Sequence, residues 1–142
     1  MKLTDSVILE YNVCGDDFTR AGEASGDLKD KLKKMGVSPD IIRKVVIAMY
    51  EGEINMVIHA KGGKITVTIT TDQITMVLDD KGPGIENIDL AMQEGYSTAP
   101  DNIRSLGFGA GMGLPNMKKY SDEMNVSTQL GVGTTVTMKV NL

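Results

Sequence analysis

Glu51 and Asn55 are the first residues in this chain whose types and spacing suggest chemistry. Four positions apart in a helix, their side chains leave one face about one turn from each other. Apolar neighbours surround them, so each polar group on this half-buried face needs a partner. Two readings are open. In one, they form a structural hydrogen-bonded pair. In the other, a magnesium ion on a triphosphate satisfies both: the Asn55 amide oxygen ligates the metal and water fills the remaining positions. Glu51 then holds or deprotonates an attacking hydroxyl or water.

Three glycine-rich stretches extend the theme. In Asp79-Asp80-Lys81-Gly82-Pro83-Gly84 the two glycines let the backbone pass close to a ligand. Asp80, at the end of a strand, can accept from an exocyclic amine; adenine presents one where guanine has a carbonyl. A plain turn accounts for the same residues. Gly107, Gly109, Gly111 and Gly113 then alternate with Phe108, Ala110 and Met112 and run into Leu114-Pro115. Such bare amides form an anion-binding nest, and the helix start behind them favours phosphate. No Lys-Ser or Lys-Thr follows Gly113, so this is not a P-loop, and no strand directly precedes it, so it is not a dinucleotide fingerprint. The remaining alternative is a flexible linker. Lys118 and Lys119, a turn further on, read as exposed. Finally, Gly131-Val132-Gly133-Thr134 precede the last strand. They make a hairpin turn, or bring the Thr134 hydroxyl to Asp80 and a base through a water.

The elements that must carry these groups follow from periodicity. Val7, Leu9, Tyr11 and Val13 predict a strand with one buried face. Phe18, Ala21, Ser25, Leu28, Leu32 and Met35 recur at helical spacing up to a stop at Gly36, with Lys29, Lys31, Lys33 and Lys34 as a solvated face. Ser38 and Pro39 read as N-cap and first residue of a second helix, through about Ala60. Ile65, Val67 and Ile69, a turn at Thr71-Asp72-Gln73, then Ile74, Met76 and Leu78 predict a hairpin. A short helix near Asn87 to Gln93 and an aperiodic, lid-like loop from Gly95 to Gly111 follow. That loop is expected to be mobile without nucleotide. A helix from Gly113 to Ser121 and strands at Met124 to Gln129 and Thr134 to Val140 complete the order. The result is an α+β two-layer sandwich, helices covering one face of a mixed, mostly antiparallel sheet.

Bulk properties set the limits. The 142 residues suit one domain, 1–142. Hydrophobic residues at 41% and charged residues at 24% are ordinary for a globular protein. A net charge of -4 argues against a nucleic-acid partner. A single cysteine, Cys14, suits a reducing compartment. Neither a signal stretch at Met1 nor a membrane-spanning run is visible, which makes the cytoplasm the expected location.

In this order the four motifs resemble the Bergerat-fold (GHKL) ATPases, the superfamily of gyrase, the large heat-shock chaperones, histidine kinases and mismatch-repair ATPases. Glu51-x-x-x-Asn55 matches the N box and Asp80-x-Gly82-x-Gly84 the first glycine box. Gly109-x-Gly111-x-Gly113 resembles the second and Gly131-x-Gly133-Thr134 the third. The similarity covers residues 40 to 140. Gly95-Tyr96-Ser97-Thr98-Ala99 ahead of the glycines and Leu114-Pro115 is similar to the switch-kinase branch of the anti-sigma-factor serine/threonine kinases.

That resemblance implies phosphorylation of a serine or threonine on a small STAS-domain partner, with ATP and Mg2+ as cofactors. Glu51 would be the base, Asn55 the magnesium ligand and Asp80 the adenine acceptor. Gly82, Gly84, Gly109, Gly111, Gly113, Leu114 and Thr134 would line the nucleotide. A sigma factor is the other partner implied. Many relatives dimerise, which makes a homodimer the corresponding expectation, and neither nucleic acid nor membrane is expected. The segment Pro100 to Leu106 departs from the pattern by lengthening the lid. The alternative to a kinase is a non-catalytic, ATP-gated module that binds a sigma factor or activates a phosphatase. A slow ATPase that times its own lid is a third reading. His59, one turn beyond Asn55, reads as structural.

Overall fold

The computed structural model describes residues 6–15, 20–59, 62–82, 84, 92 and 113–142. Its elements run β1 (Val7–Cys14), α1 (Glu23–Lys34), α2 (Pro39–His59), β2 (Gly62–Ile69), β3 (Gln73–Asp80), α3 (Gly113–Tyr120), β4 (Glu123–Gln129) and β5 (Gly133–Asn141). The short helix expected at Asn87 to Gln93 and the loop from Gly95 to Gly111 lie outside the described residues, apart from Met92, as does the His59 side chain.

The five strands form one sheet in the order β1-β2-β3-β5-β4. All four pairings are antiparallel, so among the described residues no parallel pair makes the sheet mixed. Side chains alternate across a strand, and the alternation is clean. Ile65, Val67, Ile69, Ile74, Met76, Leu78, Val136, Met138 and Val140 are buried on one face. Threonines 66, 68, 75, 135 and 137 stand on the other. The expectation of helices on a single face therefore holds.

Helix α2 is the spine of the helical layer. Its start matches the Ser38-Pro39 signal: the Ser38 carbonyl accepts from Ile42 N at 3.0 Å, and Ser38 Oγ from Ile41 N at 3.5 Å. Ile42, Val45, Ala48, Met49 and Met56 join the core, and Val57 is buried beside them in sequence. At Gly52 the layers approach closely: a Cβ there would collide with Leu78 Cδ2 and lie 3.3 Å from Met117 Sδ. The missing side chain lets β3 and α3 close on the same turn of α2.

Helix α1 starts later than its periodicity suggests, at Glu23 instead of near Phe18. Its end is a Schellman pair: Val37 N donates to Leu32 O and Gly36 N to Lys33 O, both at 3.1 Å. Its start lacks a side-chain cap of its own. Glu53, from the middle of α2, provides one. Glu53 Oε2 accepts from the Gly22 and Ala24 amides at 3.0 and 3.2 Å. Oε1 accepts from the Ser25 amide at 3.1 Å and the Ser25 hydroxyl at 2.7 Å. A carboxylate 2% exposed is tolerable here because four donors replace its water. Among the described residues no helix is long and apolar enough to cross a membrane.

Candidate functional site

Strand parity decides which of two adjacent aspartates faces the helices. Asp80 shares its face with Met76 and Leu78, under α2, whereas Asp79 points to the open face and accepts from Thr135 Oγ1 at 3.2 Å. The Asp80 carboxylate is fixed on one side only. Its Oδ1 accepts from Gly82 N at 2.9 Å and from Thr134 N at 3.1 Å. The first bond is the Asx-type turn anticipated as the plain reading; the second ties that turn to the opening of β5. Oδ2 accepts from none of the described residues, so it keeps acceptor capacity on a half-buried carboxylate.

Thr134 has a hairpin reading and a reading as a hydroxyl that bridges to Asp80 through water. Its backbone amide makes the direct bond, while its hydroxyl lies 2.9 Å from Thr128 Oγ1 and is buried. Room for this arrangement comes from glycine on both flanks. Gly63 pairs with Asp80 in β2, and a Cβ on it would strike Asp79 O. A Cβ on Gly133 would strike Asp80 O. Gly84 draws the two turns together, since its Cβ would lie 2.9 Å from Gln129 O and 3.0 Å from Leu130 Cα. The first and third glycine boxes are thus in backbone contact.

Glu51 and Asn55 lie one turn apart on α2, both half-buried. Their side chains do not bond to each other. Glu51 Oε1 instead accepts from Asn116 Nδ2 at 3.2 Å, a contact made across 65 positions of sequence with the first turn of α3. The Asn55 side chain hydrogen-bonds to none of the described residues. The adjacent Met56 packs over Gly63, beside Asp80: a Cβ on Gly63 would approach Met56 Cε to 2.6 Å. Gly52, next to Glu51, rests on Leu78, two residues before Asp80. These contacts bring the Glu51–Asn55 turn, the Asp80–Gly84 turn, the Gly131–Thr134 turn and the start of α3 to one end of the sheet.

Of the second glycine box, Gly109 and Gly111 lie outside the described residues, and Gly113 is the first residue of α3. Leu114 buries its side chain in the core, so only its backbone is available to a ligand. Lys118 and Lys119 are exposed, as expected. Among the described residues no group of three or more His, Cys, Asp or Glu could hold a metal. Magnesium on phosphates takes most of its oxygens from the ligand and from water, so a single amide oxygen such as that of Asn55 fits it as a protein ligand. The donor set fits a nucleotide: an acceptor with a spare oxygen, an unengaged amide, and the free amides of a helix start.

Glu53 and Asn116 were not visible as site-building residues in the motif reading. Glu53 had a signal, because it sits on the buried stripe between Met49 and Val57, where a charge demands partners. Asn116 had none beyond being polar in the first turn of a helix.

The model of the histidine kinase-, DNA gyrase B- and HSP90-like ATPase family matches residues 40–142. An anti-sigma F factor from Clostridium beijerinckii is 36% identical over 106 residues, covering 70% of this chain and 71% of that protein. An anti-sigma F factor from Clostridium acetobutylicum is 37% identical over 103 residues, covering 69% and 68%. Among solved structures, the RsbU and RsbW domains of a Mycobacterium tuberculosis protein align with a TM-score of 0.64 at 17% identity, over 94% of this chain and 31% of that one. This last likeness concerns the fold.

Proposed function

The chain belongs to the histidine kinase-, DNA gyrase B- and HSP90-like ATPase family, on its anti-sigma-factor branch, and we propose that it is an ATP-binding regulatory protein serine/threonine kinase acting on a small STAS-type partner in a sigma-factor switch. One observation carries the proposal. Asp80, pinned by Gly82 and Thr134 with an oxygen to spare, lies at the same end of the sheet as the Glu51–Asn55 turn and the start of α3.

In this reading the spare oxygen of Asp80 accepts the adenine amine, and the amides at the start of α3 receive phosphate. The Asn55 amide oxygen is the protein's ligand to magnesium, which when bound supplies charge neutralisation on the phosphates. Glu51 accepts the proton of the substrate hydroxyl. The freed oxygen bonds to the γ-phosphorus, the bond from that phosphorus to the β–γ bridging oxygen breaks, and ADP leaves. Such work belongs where ATP is abundant, and we place the protein in the cytoplasm on that ground.

Transfer of labelled γ-phosphate to a STAS-domain partner tests the proposal. Stoichiometric labelling of one hydroxyl supports it. The name anti-sigma factor borne by the relatives favours a second reading, a binding module that sequesters a sigma factor under ATP control. Tight partner binding without transfer would establish that reading and displace the kinase.

A further inference from the structure

The bond between Asn116 and Glu51 lies outside every glycine box and outside the Glu51-x-x-x-Asn55 pair. Asn116 Nδ2 donates to Glu51 Oε1 at 3.2 Å, with both side chains half-buried. Among the described residues it is the side-chain hydrogen bond that joins α2 to α3. The backbones on either side leave it little freedom. Gly52 follows Glu51, Met117 follows Asn116, and these two residues are themselves in contact, close enough that a Cβ on Gly52 would lie 3.3 Å from Met117 Sδ. Met117 is 1% exposed and Gly52 is buried, so the pair cannot slide without opening the core.

A carboxylate that must take a proton from an incoming hydroxyl needs one oxygen free and a fixed orientation. An unrestrained glutamate turns among several rotamers and spends little time in any one. A primary amide suits this task. It donates to one oxygen, brings no net charge that would compete with a cation nearby, and leaves the second oxygen open. Oε2 of Glu51 accepts from none of the described residues. The donor also sits three residues after Gly113, in the first turn of the helix that closes the glycine stretch. A ligand seated on that helix start would bear on the same turn that holds Glu51.

We propose that Asn116 is a positioning residue for phosphoryl transfer, holding Glu51 through Oε1 so that Oε2 faces the substrate hydroxyl, and coupling that orientation to the start of α3. This rests on the reading of Glu51 as the base. Asn116 touches neither nucleotide nor hydroxyl in this scheme and acts through Glu51.

The test is a double-mutant cycle on the full chain with Mg-ATP and a STAS partner. Asn116→Leu keeps the branched shape and deletes the donor. It should slow single-turnover transfer about tenfold, the scale of one hydrogen bond to a charged group, with Mg-ATP affinity by calorimetry within about twofold. Asn116→Gln, which keeps an amide, should recover part of the loss. In a Glu51→Gln background the leucine substitution should change the residual rate less than about twofold. An equal slowing in both backgrounds, or none in either, would reduce Asn116 to packing and overturn the proposal. The side-chain amide resonance of Asn116 provides a readout independent of transfer, and it should move on Glu51→Gln. A resonance that stays in place removes the bond itself. A resonance that moves while Glu51→Gln transfers at the wild-type rate overturns the proposal through its premise, because Glu51 is then not the base.

Discussion

Two glutamates two residues apart on α2 divide the molecule into a half that holds its shape and a half that is prepared for a ligand. Glu53 is sealed in the core with four donors on its two oxygens, three backbone amides and a hydroxyl. Its hydrogen-bonding capacity is spent on the start of α1, an end that has no side-chain cap of its own. Glu51 is half-buried and, among the described residues, receives a single donor and keeps an oxygen open. A turn of helix changes a side chain's direction by roughly 100° per residue, so positions two apart face nearly opposite sides. One face of α2 therefore meets α1 and the other meets α3 and the end of β3. The same residue type does structural work where every lone pair is matched and is available for chemistry where one is not.

This contrast predicts opposite phenotypes for the two carboxylates. Glu51→Ala should abolish transfer to the partner, by about a thousandfold within the usual range for a general base. Its urea unfolding free energy should stay within about 1 kcal/mol of wild type. A large stability loss at Glu51 would erase the distinction. Glu53→Ala should behave in the reverse sense. It strands two buried amides, a buried hydroxyl and the half-buried Gly22 amide and should cost about 3 kcal/mol in urea unfolding, while the folded fraction still binds nucleotide. A Glu53→Ala protein of wild-type stability would show that the α1 cap is dispensable.

Smaller effects sharpen the picture. Asp80→Asn keeps an oxygen for the Gly82 and Thr134 amides, so the turn should survive. Losing the carboxylate should lower the preference for ATP over GTP about tenfold, measured as a ratio of dissociation constants. An unchanged ratio would return Asp80 to a purely turn-forming role. The smallest effect belongs to the α1 half. Lys31 and then Tyr11, both bonded to Asp27, hold its carboxyl below its ordinary value of 3.8. A lowered folded value means the stabilisation is present at neutral pH and is lost as the pH falls through that value. Asp27→Asn should therefore be slightly less stable at pH 7, with the gap to wild type closing on acidification. A gap that widens in acid would contradict the sign.

How much of this was legible beforehand divides along the same line. Local devices read well. The alternation of Val7 to Val13, the hairpin around Thr71 to Gln73 and the Ser38-Pro39 helix start depend on neighbours in sequence, and the structure places them within a residue or two. Long-range devices did not. The start of α1 was drawn too early because Phe18 and Ala21 continue its helical spacing, whereas the chain begins the helix at Glu23, where Glu53 reaches it from about thirty residues away. Thr134 drew notice for its hydroxyl, whereas its direct bond to Asp80 is made by its amide, a group every residue but proline has and no motif can single out. Gly63 went unremarked because its reason for being glycine is Asp79 on the neighbouring strand. The four boxes were recognisable as types; the contacts that bring the Glu51–Asn55 turn, the first and third glycine boxes and the start of α3 together are a property of the folded sheet.

That assembly is the central claim, and backbone NMR with Mg-ATP tests it most directly. On titration with one equivalent, amide shifts should concentrate at Glu51 to Asn55, Asp80 to Gly84, Gly113 to Asn116 and Gly133 to Thr134, with the Glu53-capped turn at Gly22 to Ser25 little changed. Shifts centred on β1 and the start of α1, or none at saturating nucleotide in a well-folded sample, would contradict it.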